Sequence, residues 1–175
     1  EAEMCGNGIR CFSKYCYENG VTNKTEFTVE TLAGTKHVWL TLKGTQVEAV
    51  KVDMGAPNWE RSSLPMLGEG QCINCDLKVE NEPYKVPAIS MGNPHCVTFH
   101  DNLDALPIEK YGPLLETYSI FPKRVNVSFV NVVSKEEIQL RVWERGAGAT
   151  FGCGTAACAS AVASVLNGFT DCKVT

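Results

Sequence analysis

The sequence has no apolar run approaching the length of a membrane-spanning helix, and no secretory segment is read ahead of Glu1. It has no block of basic residues and a formal net charge of -4, so nucleic-acid binding lacks electrostatic support. It has no low-complexity stretch. It also lacks the character of a secreted disulfide scaffold. Nine cysteines is an odd number, and they are scattered through helical and strand-like segments, whereas disulfide-held domains are short and loop-rich. A reducing cytoplasm is the compartment this implies. What is present is an ordinary globular composition, 44% hydrophobic and 21% charged over 175 residues, enough for one large domain or two small lobes.

The most informative feature is a duplication. Cys5-Gly6 is followed fourteen residues after the cysteine by Asn19-Gly20, and Cys153-Gly154 is followed at the same distance by Asn167-Gly168. Each Cys-Gly opens a stretch that reads as a helix, and each Asn-Gly reads as its stop. Two thiols are thus expected at two helix N-termini, where the helix dipole and unpaired backbone N–H groups favour the thiolate. Two activated thiols suggest acid/base groups on either side of one substrate.

Between these ends, residues 8–18 carry Ile9, Phe12, Tyr15 and Cys16 at helical spacing. Residues 26–31 and 37–42 read as strands with a turn at Ala33-Gly34, and 47–54 as a third. A lobe boundary is placed near residue 48, giving lobes 1–48 and 49–175. Residues 58–82 read as loop and hairpin. Residues 86–91 read as a strand ending in Gly92-Asn93-Pro94-His95, where Pro after Asn favours a turn and would leave His95 on a loop, and 96–99 continue it. A short helix is expected from about Pro107, then strands over 126–133 and 138–143. The last helix, residues 155–166, has almost no polar face, so it is expected to be buried on all sides, as by a sheet rolled around it. A strand precedes the second Cys-Gly but none precedes the first, and 172–175 begins to read as a strand. Further pieces of sheet are expected beyond both ends.

Three constellations carry the candidate chemistry. Glu3-Met4-Cys5-Gly6-Asn7-Gly8 offers a thiol, glycines that admit a ligand to the backbone, and helix-start N–H groups suited to a carboxylate. Glu144-Arg145-Gly146-Ala147-Gly148 leads from a strand into Cys153-Gly154-Thr155. Gly92-Asn93-Pro94-His95 could supply a proton-handling imidazole, and Asn126 is a polar residue opening a strand. Each alone has a plain structural explanation: a buried cysteine beside a cap, a surface ion pair, a turn, a satisfied core histidine. The same arrangement twice in one chain is harder to explain that way. A different reading is a structural zinc protein built on Cys72-x-x-Cys75 with His95-Cys96, although a closed zinc site needs four ligands in paired spacing. Cys11, Cys16, Cys158 and Cys172 are read as packing residues.

The CGNGIRC and ERGAG…CGT stretches, with GNPH between them, closely resemble the diaminopimelate epimerase family. The resemblance covers essentially the whole chain. It implies an α+β fold of two pseudo-symmetric lobes, each a mostly antiparallel sheet rolled around a central helix, here incomplete. It implies cofactor-independent interconversion of LL- and meso-diaminopimelate in lysine biosynthesis, with no metal, in a cytoplasmic homodimer. Carried over by motif, Cys5 and Cys153 are the two bases, and His95 and Glu144 tune or relay protons for them. Gly6, Asn7, Gly154 and Thr155 cradle the reacting carboxylate. Asn93, Asn126, Glu144 and Arg145 contact the rest of the substrate. The family commonly has Glu where Ala149 stands and an aliphatic-Ala pair where Phe151-Gly152 stand. The related proline racemases and phenazine-type isomerases share the two-lobed fold and are the alternative family reading.

Overall fold

A computed structural model describes residues 5–175, and packing divides the chain between Gly55 and Ala56 into two compact units. Residue 48, where the sequence placed the boundary, lies within a strand.

The first unit is one helix on one sheet. Helix α1 (Gly6–Glu18) buries Ile9, Ser13 and Cys16, a stripe at the i, i+4, i+7 spacing of a single face. Strands β1 (Glu26–Thr31), β2 (Gly34–Lys43) and β3 (Gln46–Val52) form an antiparallel meander in that order. Period-two alternation turns Lys36, Val38 and Leu40 of β2 inward, and Val38 and Ile9 form the centre of the core. Lys14 Nζ donates to the Val47 carbonyl at 2.8 Å, and Glu18 accepts from the Val47 N–H at 2.9 Å. These two bonds tie the last turns of α1 to β3.

The second unit contains the hairpin β4 (Cys75–Val79) and β5 (Glu82–Val86) and a five-stranded sheet. That sheet is built from β6 (Ala88–Ser90), β7 (Pro94–Phe99), β8 (Asn126–Val132), β9 (Ile138–Glu144) and β10 (Gly148–Thr150). Its order is β10-β9-β8-β7-β6, and only β7 and β8 run parallel. Parallel neighbours need a crossover, which helix α2 (Ile108–Glu116) supplies. The core gathers Leu77, Val86, Cys96, Ile108, Leu115, Phe121, Val127 and Phe129. Helix α3 (Gly154–Leu166) lies against β6, β7, β8 and β9.

Three readings of the sequence change. Residues 86–99 are not one strand: β6 and β7 form a hairpin with Ile89 opposite His95 and Ser90 opposite Pro94. The turn between them has Gly92 at φ +91°, a conformation that reverses the chain. His95 therefore sits inside β7, fully buried, not on a loop. Helix α3 buries a stripe of Thr155, Ala156, Ala159, Ser160, Ala163 and Ser164. Off that stripe Ala157 is exposed and Cys158, Ala161, Val162, Val165 and Leu166 are half-buried among the described residues; an apolar sequence tells how much of a helix can be covered, not what covers it. Cys16 is buried as expected of a packing residue, but Cys11 and Cys172 are exposed.

The closest packing constraint falls on α2. A Cβ built on Gly112 would stand 2.4 Å from Cδ2 of Trp143, so only glycine lets the helix approach that indole. Gly112→Ala should gain up to about 1 kcal/mol in helix propensity and lose about 1–3 kcal/mol to overpacking. The clash should win, so urea unfolding of the variant should show a lower midpoint; a raised midpoint would contradict this packing.

Candidate active site

The two helices that carry the candidate thiols are built alike at both ends. Cys5 is the N-cap of α1 with φ -131° and ψ 108°, and Cys153 is the N-cap of α3 with φ -131° and ψ 119°. Each helix has 13 residues. At the other end, Gly20 and Gly168 take φ +72° and +69°. The N–H groups of Gly20 and Val21 bond the carbonyls of Tyr17 and Cys16, and those of Gly168 and Phe169 bond Val165 and Ser164. This is the Schellman pattern, in which a left-handed residue satisfies the last carbonyls. The Asn-Gly stops are thus present at atomic level in both copies.

Both N-cap cysteines are free thiols. In the first unit Cys5 is exposed, and its Sγ accepts from the Gly8 N–H at 3.3 Å. Asn7 is exposed beside it and accepts from Arg10 through Oδ1, while Arg10 Nε donates to the Gly6 carbonyl at 3.1 Å. Glu3 and Met4 lie outside the described residues.

The second unit brings together Asn93, His95, Asn126, Glu144, Arg145, Cys153 and Thr155. His95 Nε2 is 3.0 Å from Asn93 Oδ1, Asn93 Nδ2 donates to Thr155 Oγ1 at 3.2 Å, and Thr155 Oγ1 is 3.2 Å from Cys153 Sγ. The direction of the first two bonds follows from their members. The Asn93 oxygen can only accept, so His95 is protonated on Nε2. Thr155 accepts from Asn93, and its hydroxyl shares a hydrogen bond with the Cys153 sulfur in which either group can be the donor. The imidazole is thus linked to the thiol through an amide and a hydroxyl, without touching it. Burial, with a smaller contribution from the Arg145 charge, pushes the His95 pKa down to about 3. The ring is neutral near pH 7, and its Nδ1 has no hydrogen-bond partner among the described residues.

Asn126, at the first residue of β8, is buried. Its Oδ1 accepts from the Arg145 N–H and its Nδ2 donates to the Pro94 carbonyl, both at 2.9 Å. One amide therefore braces the turn after β9 against the start of β7. Glu144 Oε1 accepts from Thr150 Oγ1 at 2.6 Å across the β9–β10 hairpin. The sequence reading missed β10 and hence Thr150; the signal available was only a Gly-Ala-Thr triplet after a glycine turn.

The zinc alternative fails on geometry. Cys72 and Cys75 are bonded to each other, so neither sulfur is a free ligand. His95 and Cys96 are consecutive in a strand and point to opposite faces. Burial also pushes the Cys96 thiol up to about 12. Among the described residues no group of three or more metal-ligating side chains forms.

Since His95 folds neutral, its contribution to stability is fully present above about pH 6.5, the ordinary histidine value, and is lost as pH falls toward about 3. Urea midpoints of the wild type should fall through that window more steeply than those of His95→Gln. Parallel pH profiles would contradict a buried neutral imidazole.

The chain spans about 63% of the length of two curated diaminopimelate epimerases that it matches from end to end. It is 52% identical over 176 residues to that of Pelotomaculum thermopropionicum and 49% identical over 176 residues to that of Moorella thermoacetica, in each case with 100% of this chain covered. Among solved structures, a hydroxyproline epimerase from Agrobacterium vitis superposes with a TM-score of 0.72 at 15% identity, over 97% of this chain and 54% of that one. At that identity the likeness speaks for the fold alone, and it agrees with an α+β architecture of mostly antiparallel sheets packed on helices. No helix among the described residues is long and apolar enough to cross a membrane. The family model for diaminopimelate epimerase matches residues 1–60 and 87–175, and with both Cys-Gly helices and the GNPH and ERGAG segments inside those ranges, the chain belongs to that family.

Proposed function

We propose that the full-length protein interconverts LL- and meso-diaminopimelate in lysine biosynthesis by a two-base mechanism that uses no pyridoxal phosphate. The observation that carries this reading is the duplicated N-cap cysteine: two free thiols with nearly the same backbone angles, each at the start of a 13-residue helix.

The difficult step is breaking an α-carbon C–H bond in an amino acid. In the proposed mechanism the helix-start N–H groups, those of Gly6 and Asn7 in α1 and of Gly154 and Thr155 in α3, are the donors available to the α-carboxylate. Fixed donors of this kind stabilise charge as it develops in the transition state. The sulfur of one cysteine, as thiolate, takes the α-proton and becomes a thiol. The other, as thiol, delivers its proton to the opposite face and becomes a thiolate. One C–H bond breaks and one forms, configuration inverts, and the protonation states of Cys5 and Cys153 exchange. Their titrations are therefore coupled, and each serves as base in one direction.

The remaining residues divide the work. His95, kept neutral by burial, orients Asn93 and through it the Thr155 hydroxyl toward Cys153. A hydrogen bond donated to sulfur favours the thiolate. Arg145 receives the distal carboxylate as a bidentate pair. Glu144, held by Thr150, accepts from the distal ammonium. Asn93 and Asn126 complete the polar lining. We place the enzyme in the cytoplasm as a homodimer with a small-molecule substrate and no nucleic-acid or membrane partner.

Cys5→Ala and Cys153→Ala, each made in the full-length protein, should lower turnover in both directions by about 10³-fold or more. Their melting temperatures should stay close to that of the wild type. Near-normal turnover in either variant, measured under reductant, would sink the two-base assignment.

A further inference from the structure

Glu116, the last residue of α2, is a buried carboxylate, only 6% exposed, that takes no part in the reaction described above. Burying a carboxylate is costly unless its oxygens are satisfied. Both are. Oε2 accepts from the indole N–H of Trp143 at 2.7 Å, and Oε1 accepts from the backbone N–H of Gly146 at 2.9 Å. Among the described residues its one ion pair is with Arg124, at 3.5 Å and mostly exposed, so the N–H donors rather than an ion pair define the geometry.

Gly146 follows Glu144 and Arg145 in the turn between β9 and β10. The neighbouring N–H, that of Arg145, is held by Asn126 Oδ1. Two adjacent N–H groups of one turn are therefore bound by two side chains from different elements, α2 and β8. Trp143 immediately precedes Glu144, so the carboxylate grips the segment 143–146 at both ends. Within that span lie the two charged residues assigned to the distal end of the substrate.

We propose that Glu116 is a positioning residue: through Trp143 Nε1 and Gly146 N it fixes the turn that presents Glu144 and Arg145, and so sets affinity for the distal carboxylate and ammonium. The proposal rests on the epimerase reading for the identity of the substrate, but not for the geometry of the turn. Glutamine at this position keeps the shape and supplies only one acceptor oxygen. Its NH2 group would face one of the two N–H donors, and that end of the turn would be released.

The test uses the full-length enzyme and three variants' kinetics beside amide exchange. Glu116→Gln should raise KM for diaminopimelate about tenfold, the scale of one lost charge-assisted hydrogen bond, with a smaller change in kcat. Leu77→Ala, a core truncation in β4 that leaves every hydrogen bond of the turn in place, should lower the melting temperature and leave KM unchanged. Glu116→Asp, which keeps the charge but shortens the reach, should fall between wild type and Glu116→Gln. In the wild type the Gly146 amide should exchange slowly, as strand amides do, and in Glu116→Gln quickly. A folded Glu116→Gln enzyme with unchanged KM would overturn the proposal. So would fast Gly146 exchange in the wild type, an observation that stands even if the glutamine variant does not fold. If the wild type is inactive on diaminopimelate while Gly146 exchange behaves as expected, the substrate reading fails and the positioning role stands.

Discussion

The constraint on which the site depends is the unpaired first turn of a helix. The first N–H groups of an α-helix have no internal partners, and here the residue at the cap in both units is cysteine. Serine, threonine, asparagine and aspartate are the common choices because their oxygens bond the N2 or N3 amide strongly. A sulfur does so weakly. Cys5 does cap the Gly8 N–H, at 3.3 Å, whereas Cys153 makes no side-chain cap bond. Both helices therefore start with donors that favour an anion and with a nucleophilic atom beside them. The glycine stops at the far ends, matched bond for bond, show that the whole helical unit is duplicated along with its cap.

Around Cys153 the burial of one histidine orders the polar groups. A solvated imidazole could exchange tautomers and accept or donate at either nitrogen. Enclosed in β7, His95 is neutral and is bonded to an oxygen that can only accept. That choice propagates: the Asn93 amide points its NH2 group at Thr155, whose hydroxyl is hydrogen-bonded to the Cys153 sulfur. The histidine is joined to the thiol only through this chain of bonds. The turn bearing Glu144 and Arg145 follows the same logic. Its backbone donors are bound by Asn126 and Glu116, so its charged side chains project from a fixed frame. Preorganised donors act on a reacting charge without reorganising as it forms.

What was legible in the sequence follows a physical division. Helix ends written by Asn-Gly, strands written by β-branched alternation and the helix start at Pro107 are local signals, and the elements form where those signals stand. The duplicated Cys-Gly was legible because spacing along one chain is conserved by helix length. The hairpin at 90–94 was legible only as an Asn-Pro turn, because Gly92 at φ +91° reverses the chain early enough for the next strand to begin at Pro94. His95 was therefore assigned to the loop and not to β7. Thr150, Glu116 and the bracing role of Asn126 depend on partners 6, 30 and 32 residues away, and a one-dimensional pattern does not encode the last two pairings. Exposure of Cys11 and Cys172 was missed for a simpler reason: free cysteine is among the most buried residue types, so packing is its default reading and only the fold shows the exceptions.

The central claim is that two different sulfurs handle the proton removed and the proton delivered. Proton NMR of the full-length protein with LL-diaminopimelate in deuterium oxide, under reductant and without added cofactor, tests it directly. The account predicts that early in the reaction the meso product carries deuterium at the inverted α-carbon while unreacted LL substrate keeps its proton, because the delivering thiol has equilibrated with solvent. Deuterium entering the LL substrate as fast as the meso isomer forms would indicate a single base on one face. No exchange at all in a folded, reduced sample would contradict the account outright.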